Sequence, residues 1–184
     1  MKTLHSTERE ILYDGKQLSP HWVYKTFDIS GDALVSFIGP CDVTLDQMVD
    51  LEDVKNKSPI GSSKMLHFLG EWFMDSLNEG ILLQHLLICE IYELMLEKEI
   101  PSLHRRGNDI YYQSRKMSVS IATRSSVSVL IHVGINIENS KTPIPTACLD
   151  ELQLEPSAFA NQALNRFFND YSIWRLARTK VIPR

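Results

Sequence analysis

Two stretches of the chain alternate with a period of two, and that alternation constrains the fold more than any other feature. In VSVLIHVGINI, residues 127–137, Val127, Val129, Ile131, Val133, Ile135 and Ile137 share one side, and Ser128, Leu130, His132, Gly134 and Asn136 the other. In KMSVSIAT, residues 116–123, Met117, Val119 and Ile121 alternate with Lys116, Ser118, Ser120 and Ala122. Successive side chains of a strand point to opposite faces, so both stretches are predicted as strands with one bulky and one small-residue face. A hairpin through Arg124-Ser125-Ser126 would set apolar against apolar, Ile121 opposite Val129 and Val119 opposite Ile131. That register puts Ser118 opposite His132 and Lys116 opposite Gly134, giving a shallow floor that carries Lys116, His132 and Asn136. Ser, Ala and Gly in mid-strand leave room for a ligand or another backbone; a solvated strand face is the alternative reading.

The flanking segments supply helices. Ile81, Leu82, Leu86, Ile88, Ile91, Tyr92, Met95 and Leu96 recur at helical spacing, which predicts a long helix from about Asp75 to Lys98. Pro156 to about Arg178 is predicted as a second, with Phe159, Ala163, Phe167, Tyr171 and Trp174 on one stripe. Ser19-Pro20 opens a short helix over 21–27, and MVDLEDVKN, 48–56, reads as a short acidic helix or turn. EILYDGKQL suggests a hairpin at Asp14-Gly15, ALVSFIG a strand ended by Pro40, KSPIGSS a loop, and MLHFLGEWF a strand with Gly70 as a bulge. Three strands are expected between Ile110 and Ile137. The order implies an α+β fold, one domain over residues 1–184, with a mixed and mostly antiparallel sheet packed against helices.

Composition narrows the functional classes. Hydrophobic residues make up 43% and charged residues 23% of the 184, so the chain can bury one sizeable core. A net charge of −4 offers no general attraction to nucleic acid or to an anionic membrane. No apolar run reaches membrane-spanning length and the start lacks a signal-peptide core, so a cytoplasmic protein is expected. Cys41, Cys89 and Cys148 are widely spaced and odd in number, which suits reduced thiols rather than a disulfide scaffold or a zinc site. Asp42, Asp46, Asp50, Glu52, Asp53 and His67 cluster in sequence, but a solvated acidic helix accounts for the acids and a satisfied histidine on a strand for His67; no metal is assigned. Arg105-Arg106 could serve an anionic ligand, against the alternative of a solvated loop.

GNDIYYQSRKMSVSIA, 107–122, resembles the segment of lipoate and biotin protein ligases in which an Asn-Asp strand and a turn lead to a strand presenting a lysine to the acyl group. VSVLIHVGINI resembles their following strand. GPCDV, MVDLED, KMSVSIAT, HVGINI and TPIPT together look like a largely archaeal family, domain of unknown function 366, along the whole chain. The resemblance implies a core like that of class II synthetases and biotin-lipoate ligases, with Lys116 at the acyl carbonyl. A cation fixed by a strand would stabilise charge developing on that oxygen. Where those ligases carry Arg-Arg-x-x-Gly-Gly or Gly-Arg-Gly-Arg, this chain has KSPIGSS, so the use of ATP stays open.

Cysteine-using octanoyltransferases of the same superfold imply a second route, with Cys41 as nucleophile and Lys116 as base. The candidate catalytic residues are therefore Lys116, Cys41 and His132, and the candidate ligand-binding residues Asn108, Asp109, Ser118, Ser120, Gly134 and Asn136. The implied partners are a small acyl-type molecule, an acyl-carrier domain and a second copy of the chain in a homodimer. An acyl (lipoyl, octanoyl or biotinyl) transferase or ligase is the first functional expectation; a non-catalytic binding or regulatory module of the same superfold is the second.

Overall fold

The computed structural model describes residues 1–183. Five strands make the main sheet: β1 (Lys2–His5), β2 (Ala33–Val43), β3 (Ile60–Trp72), β7 (Ser118–Arg124) and β8 (Val129–Asn136), in the order β1-β2-β3-β8-β7. Only the β1–β2 pair is parallel. β4 (Leu103–Arg106), β5 (Asp109–Tyr112) and β6 (Arg115–Lys116) form a small antiparallel sheet beside it. The expected mixed α+β class is what is observed.

The two long helices lie on one face of the main sheet. α3 (Leu77–Leu96) packs on β7 and β8, and α4 (Pro156–Ala177) packs on α3, β1 and β2. Ser76 caps α3 by accepting from the Glu79 amide at 3.2 Å, and the Glu155 carboxylate caps α4 on the Ser157 and Ala158 amides, with Pro156 entering the first turn. Phe159, Ala163, Phe167 and Tyr171 of the α4 stripe join the core with Phe68, Trp72, Ile131 and Val133, while Trp174 stays 40% exposed. On the other face lie the N-terminal segment and the short α1 (Trp22–Phe27), over Val35, Phe37, Met65 and Leu69.

Covering both faces overturns the hairpin register expected from the pattern. Ser118 pairs with Ile135, Val119 with Gly134 and Ile121 with His132, so bulky residues of β7 meet small or polar ones of β8. Alternation selects a register only where one face meets water, and here all eight residues of β8 are buried. The turn sets the register instead. The Ser125 amide donates to the Ser128 carbonyl at 2.8 Å, the Ser125 hydroxyl accepts from the Val127 and Ser128 amides, and the Ser128 hydroxyl donates to the buried Glu71 carboxylate at 2.8 Å.

Other local expectations shift for related reasons. No hairpin forms at Asp14-Gly15; residues 11–13 run along β2, with the Ile11 amide on the Ile38 carbonyl (3.0 Å) and the Tyr13 amide on that of Pro40 (2.9 Å). β2 continues past Pro40 because the register breaks between Gly39 and Cys41, a bulge that spares the missing N–H. Gly70 lies in unbroken register; its place is filled by the Trp72 ring. KSPIGSS is strand from Ile60 onward, the short α2 (Leu51–Asn56) precedes it, and β5 to β8 supply four strands where three were expected.

At Gly39 the Ile11 backbone crosses so closely that a Cβ would stand 2.0 Å from the Ile11 carbonyl oxygen. Backbone cannot give way as a flexible side chain does. Gly39→Ala is therefore expected to destabilise the fold by about 1–3 kcal/mol, read as a lower urea midpoint at unchanged slope.

Candidate functional site

On the face away from the long helices a cavity of about 900 Å³ opens between the main sheet, the small sheet, α2 and the segment 142–146. The TPIPT connector thus forms a wall, through Thr142, Pro143, Ile144 and Thr146. It is held there by the Ser63 amide donating to Ser140 (2.9 Å), and by Arg115, which donates to the Thr146 carbonyl (3.1 Å) and pairs with Glu151 at 2.6 Å.

The floor is a set of buried rings. His67 of β3 and His132 of β8 face the cavity side; the Tyr13 ring stacks on His132 with centroids 3.7 Å apart, and Phe37 stacks on His67 at 5.0 Å. His67 Nε2 lies 3.2 Å from the Gly39 carbonyl, and His67 Nδ1 lies 3.0 Å from His132 Nε2. Burial pushes the His67 imidazole down to about 3 and the His132 imidazole well below its usual value, the latter also by the neighbouring ring. Both rings are therefore neutral, with one N–H each. A carbonyl only accepts, so the His67 proton is on Nε2; His67 Nδ1 must accept, and the His132 proton is on Nε2.

Lys116 reaches the cavity from a different layer. It belongs to β6, pairs with Tyr111 and bridges to Thr146, and does not sit opposite Gly134 on the main sheet. Its ammonium pairs with Asp109 of β5 at 2.8 Å, both side chains about a third exposed. Lys116 and His132 do line one cavity, but from two sheets rather than one strand face. Asp53 of α2 stands near this pair; desolvation and the neighbouring Asp50 raise its carboxyl, against the pull of Lys116.

The small-residue floor has another use. Ser118 Oγ accepts from the Ile110 amide at 2.8 Å; Ser120 Oγ accepts from Gln84 of α3 at 2.8 Å and donates to the Asn108 carbonyl at 3.3 Å. Both oxygens are engaged by the closeness of β5 and α3 to β7. The space beside Gly134 is taken by Met65, whose sulfur would lie 2.3 Å from an added Cβ. Asn136 borders the cavity and donates to the Ala147 carbonyl at 3.3 Å. Cys41 also borders it, 3% exposed, with burial foremost and Asp42 second pushing the thiol up to about 12.

The sequence did not point to Tyr13 or Met65 as site residues, because only the crossing of residues 11–13 over β2 and the β3–β8 pairing bring them in. The acidic run divides: Asp50 caps α2 on the Glu52 amide at 2.8 Å, and Asp46 accepts from Thr44 at 2.6 Å. Among the described residues, no group of three or more His, Cys, Asp and Glu side chains is arranged to hold a metal ion. No helix among them is long and apolar enough to cross a membrane.

The buried imidazole pair gives stability a pH dependence. The unfolded chain protonates these rings below about 6.5 while the folded chain keeps them neutral, so unfolding binds protons. The contribution of His67 is complete above that pH and is lost as pH falls toward about 3, at up to about 1.4 kcal/mol per pH unit, and His132 acts in the same direction. Urea midpoints from pH 7 to 4 should fall, and fall less steeply in His67→Phe; equal slopes would refute the assignment. Cys41 is expected to resist iodoacetamide at pH 8 in the folded protein and to react once unfolded, as followed by mass spectrometry.

Known proteins resemble this chain in sequence and in fold. An uncharacterised protein of Methanocaldococcus jannaschii is 38% identical over 131 residues, 69% of this chain and 59% of that relative's length. The structure of a protein of unknown function from Pyrococcus horikoshi superposes with a TM-score of 0.94 at 35% identity, over 100% of both chains. The biotin protein ligase of Aquifex aeolicus, in complex with biotin and ATP, superposes with a TM-score of 0.57 at 16% identity, over 92% of this chain and 68% of the ligase. A P. falciparum protein in complex with lipoate gives 0.56 at 11%, over 100% and 63%. The last two share the fold, as the resemblance implied. The sequence profile of the family described as domain of unknown function 366 matches residues 1–182, and the chain belongs to that family.

Proposed function

We propose that the cavity binds a small acyl-type carboxylic acid, or an activated form of it, with Lys116 at the carboxyl or carbonyl group and the acyl body over the ring-lined floor. The observation that carries this reading is the placing of the Lys116 ammonium, held by Asp109 at 2.8 Å, on the wall of a cavity whose floor is Tyr13, Met65, Val119 and Ile121. An ammonium fixed by a carboxylate needs no further reorganisation when a carbonyl oxygen gains charge. The biotin- and lipoate-bound proteins of the same fold support the ligand class. Transfer of the acyl group to or from a carrier domain is the reaction this arrangement would serve. It would run without a cysteine nucleophile at Cys41, whose thiol is held up to about 12 by burial.

A second reading, binding without catalysis, is favoured by the charge of the lining. Asp50, Glu52, Asp53 and Asp109 outnumber Lys57, Arg106 and Lys116, and the KSPIGSS stretch borders the cavity with one lysine and no arginine. Such a lining holds a monoanion at Lys116 better than the phosphates of an adenylate.

The test is a thermal-shift screen of wild type and Lys116→Ala against lipoate, biotin, octanoate and ATP. A ligand at about a hundred times its dissociation constant stabilises by about 2.7 kcal/mol, a rise of roughly 5–10 °C for a chain of this size. The rise should vanish in Lys116→Ala. Absence of any shift in wild type refutes the reading, and a shift with no acyl transfer to a carrier domain selects the binding module.

A further inference from the structure

The neutral His67–His132 pair fixes what the cavity floor can offer. The protein provides no partner for His132 Nδ1: the one hydrogen bond of the ring runs through Nε2 to His67. Nor is Nδ1 sealed off, since the fully buried side-chain polar atoms without a partner among the described residues are His5 Nε2 and Trp72 Nε1. His132 is 3% exposed and lines the cavity, so that small accessible area faces into it. The proton positions follow from the Gly39 carbonyl. With Nε2–H committed to His67, the neutral ring keeps its second lone pair on Nδ1 and has no proton to give there. Tyr13, stacked flat on the ring, and Phe37 behind His67 restrain both imidazoles from turning.

A lone pair held in an apolar, nearly closed floor is costly when a bound molecule shuts out water and gives nothing back. Asn136, four residues along the same face of β8, adds a second acceptor: its amide nitrogen is used on Ala147, and its oxygen has no partner in the protein and is absent from the sealed-off atoms. The Tyr13 hydroxyl, the remaining polar group on the floor, can act either way. Ser120 is engaged both as acceptor and as donor, and Ser118 Oγ already accepts from the Ile110 amide.

We infer that His132 Nδ1 is a specificity-determining hydrogen-bond acceptor, and that the ligand's buried end carries an N–H or O–H donor, as a cyclic urea, lactam or hydroxyl does, rather than a bare alkyl or disulfide terminus. This rests on the reading that an acyl-type acid binds in the cavity, and it divides that class by its head group. His67 acts through His132 as a positioning residue, holding the proton off Nδ1 by way of the Gly39 carbonyl.

Biotin and lipoate make a matched pair of probes. Each joins a ring to a pentanoic acid chain, but the biotin ring bears N–H donors and the dithiolane of lipoate bears none. Calorimetric titration of wild type, Lys116→Ala and His132→Phe separates the two claims. Lys116→Ala should weaken both ligands alike. In wild type biotin should bind at least tenfold tighter than lipoate, and in His132→Phe that ratio should fall to about threefold or less. A wild-type preference for lipoate, or a biotin preference that survives in His132→Phe, overturns the inference and leaves the acyl site standing.

A second measurement needs neither variant nor ligand. Two-bond ¹H–¹⁵N correlation spectra of the free protein should show both rings as the Nε2–H tautomer, with His132 Nδ1 unprotonated at pH 7. A His132 ring protonated on Nδ1 overturns the inference even if His132→Phe fails to fold. If neither probe binds wild type, the acyl-site reading is decided by the thermal-shift screen, and the tautomer spectrum alone decides for or against the acceptor.

Discussion

The structure turns on a sheet whose two central strands are buried on both faces. β3 and β8 carry α3 and α4 on one side and the N-terminal segment with α1 on the other. The polar groups they hold, Trp72 Nε1 excepted, then find a partner inside the protein or open onto a cavity. Glu71 accepts from the His21 amide and the Ser128 hydroxyl, both at 2.8 Å, and His67 is closed by Gly39 and His132. The cavity is where that covering stops, between the N-terminal segment and the small sheet.

The bulge between Gly39 and Cys41 links fold to site. It lets β2 pass Pro40 without needing an amide hydrogen there, and at its start the Gly39 carbonyl lies 3.2 Å from His67 Nε2. Residues 11–13 cross at the same point, so Tyr13 reaches His132. One local irregularity thus sets both the position of an aromatic ring and the proton arrangement of two imidazoles.

The chemistry is divided between two sheets. The main sheet gives a rigid, neutral, ring-lined floor; the small sheet gives the charged wall, with Lys116 and Asp109 on adjacent strands. A ligand with an anionic end and a donor-bearing, mostly apolar end would span the two. Keeping the cation off the floor avoids burying an ammonium among the stacked rings, where its desolvation would be unfavourable.

The sequence alone determined the strands of 117–137, the two long helices, the mixed α+β class and Lys116 at the edge of an alternating run, because period and capping are local properties. It also singled out His132 as a polar residue on a strand face that keeps close company with something. The tertiary structure decided the rest. Alternation loses its power over register when both faces are covered, so Ser118 and Ser120 turned out to serve α3 and β5, and Met65 filled the space beside Gly134. Lys116 moved to the second sheet, and Tyr13 and His67 joined the site, through pairings between residues far apart in the chain. Local patterns say which side of a strand a residue occupies; only the packing of distant segments says what that side meets.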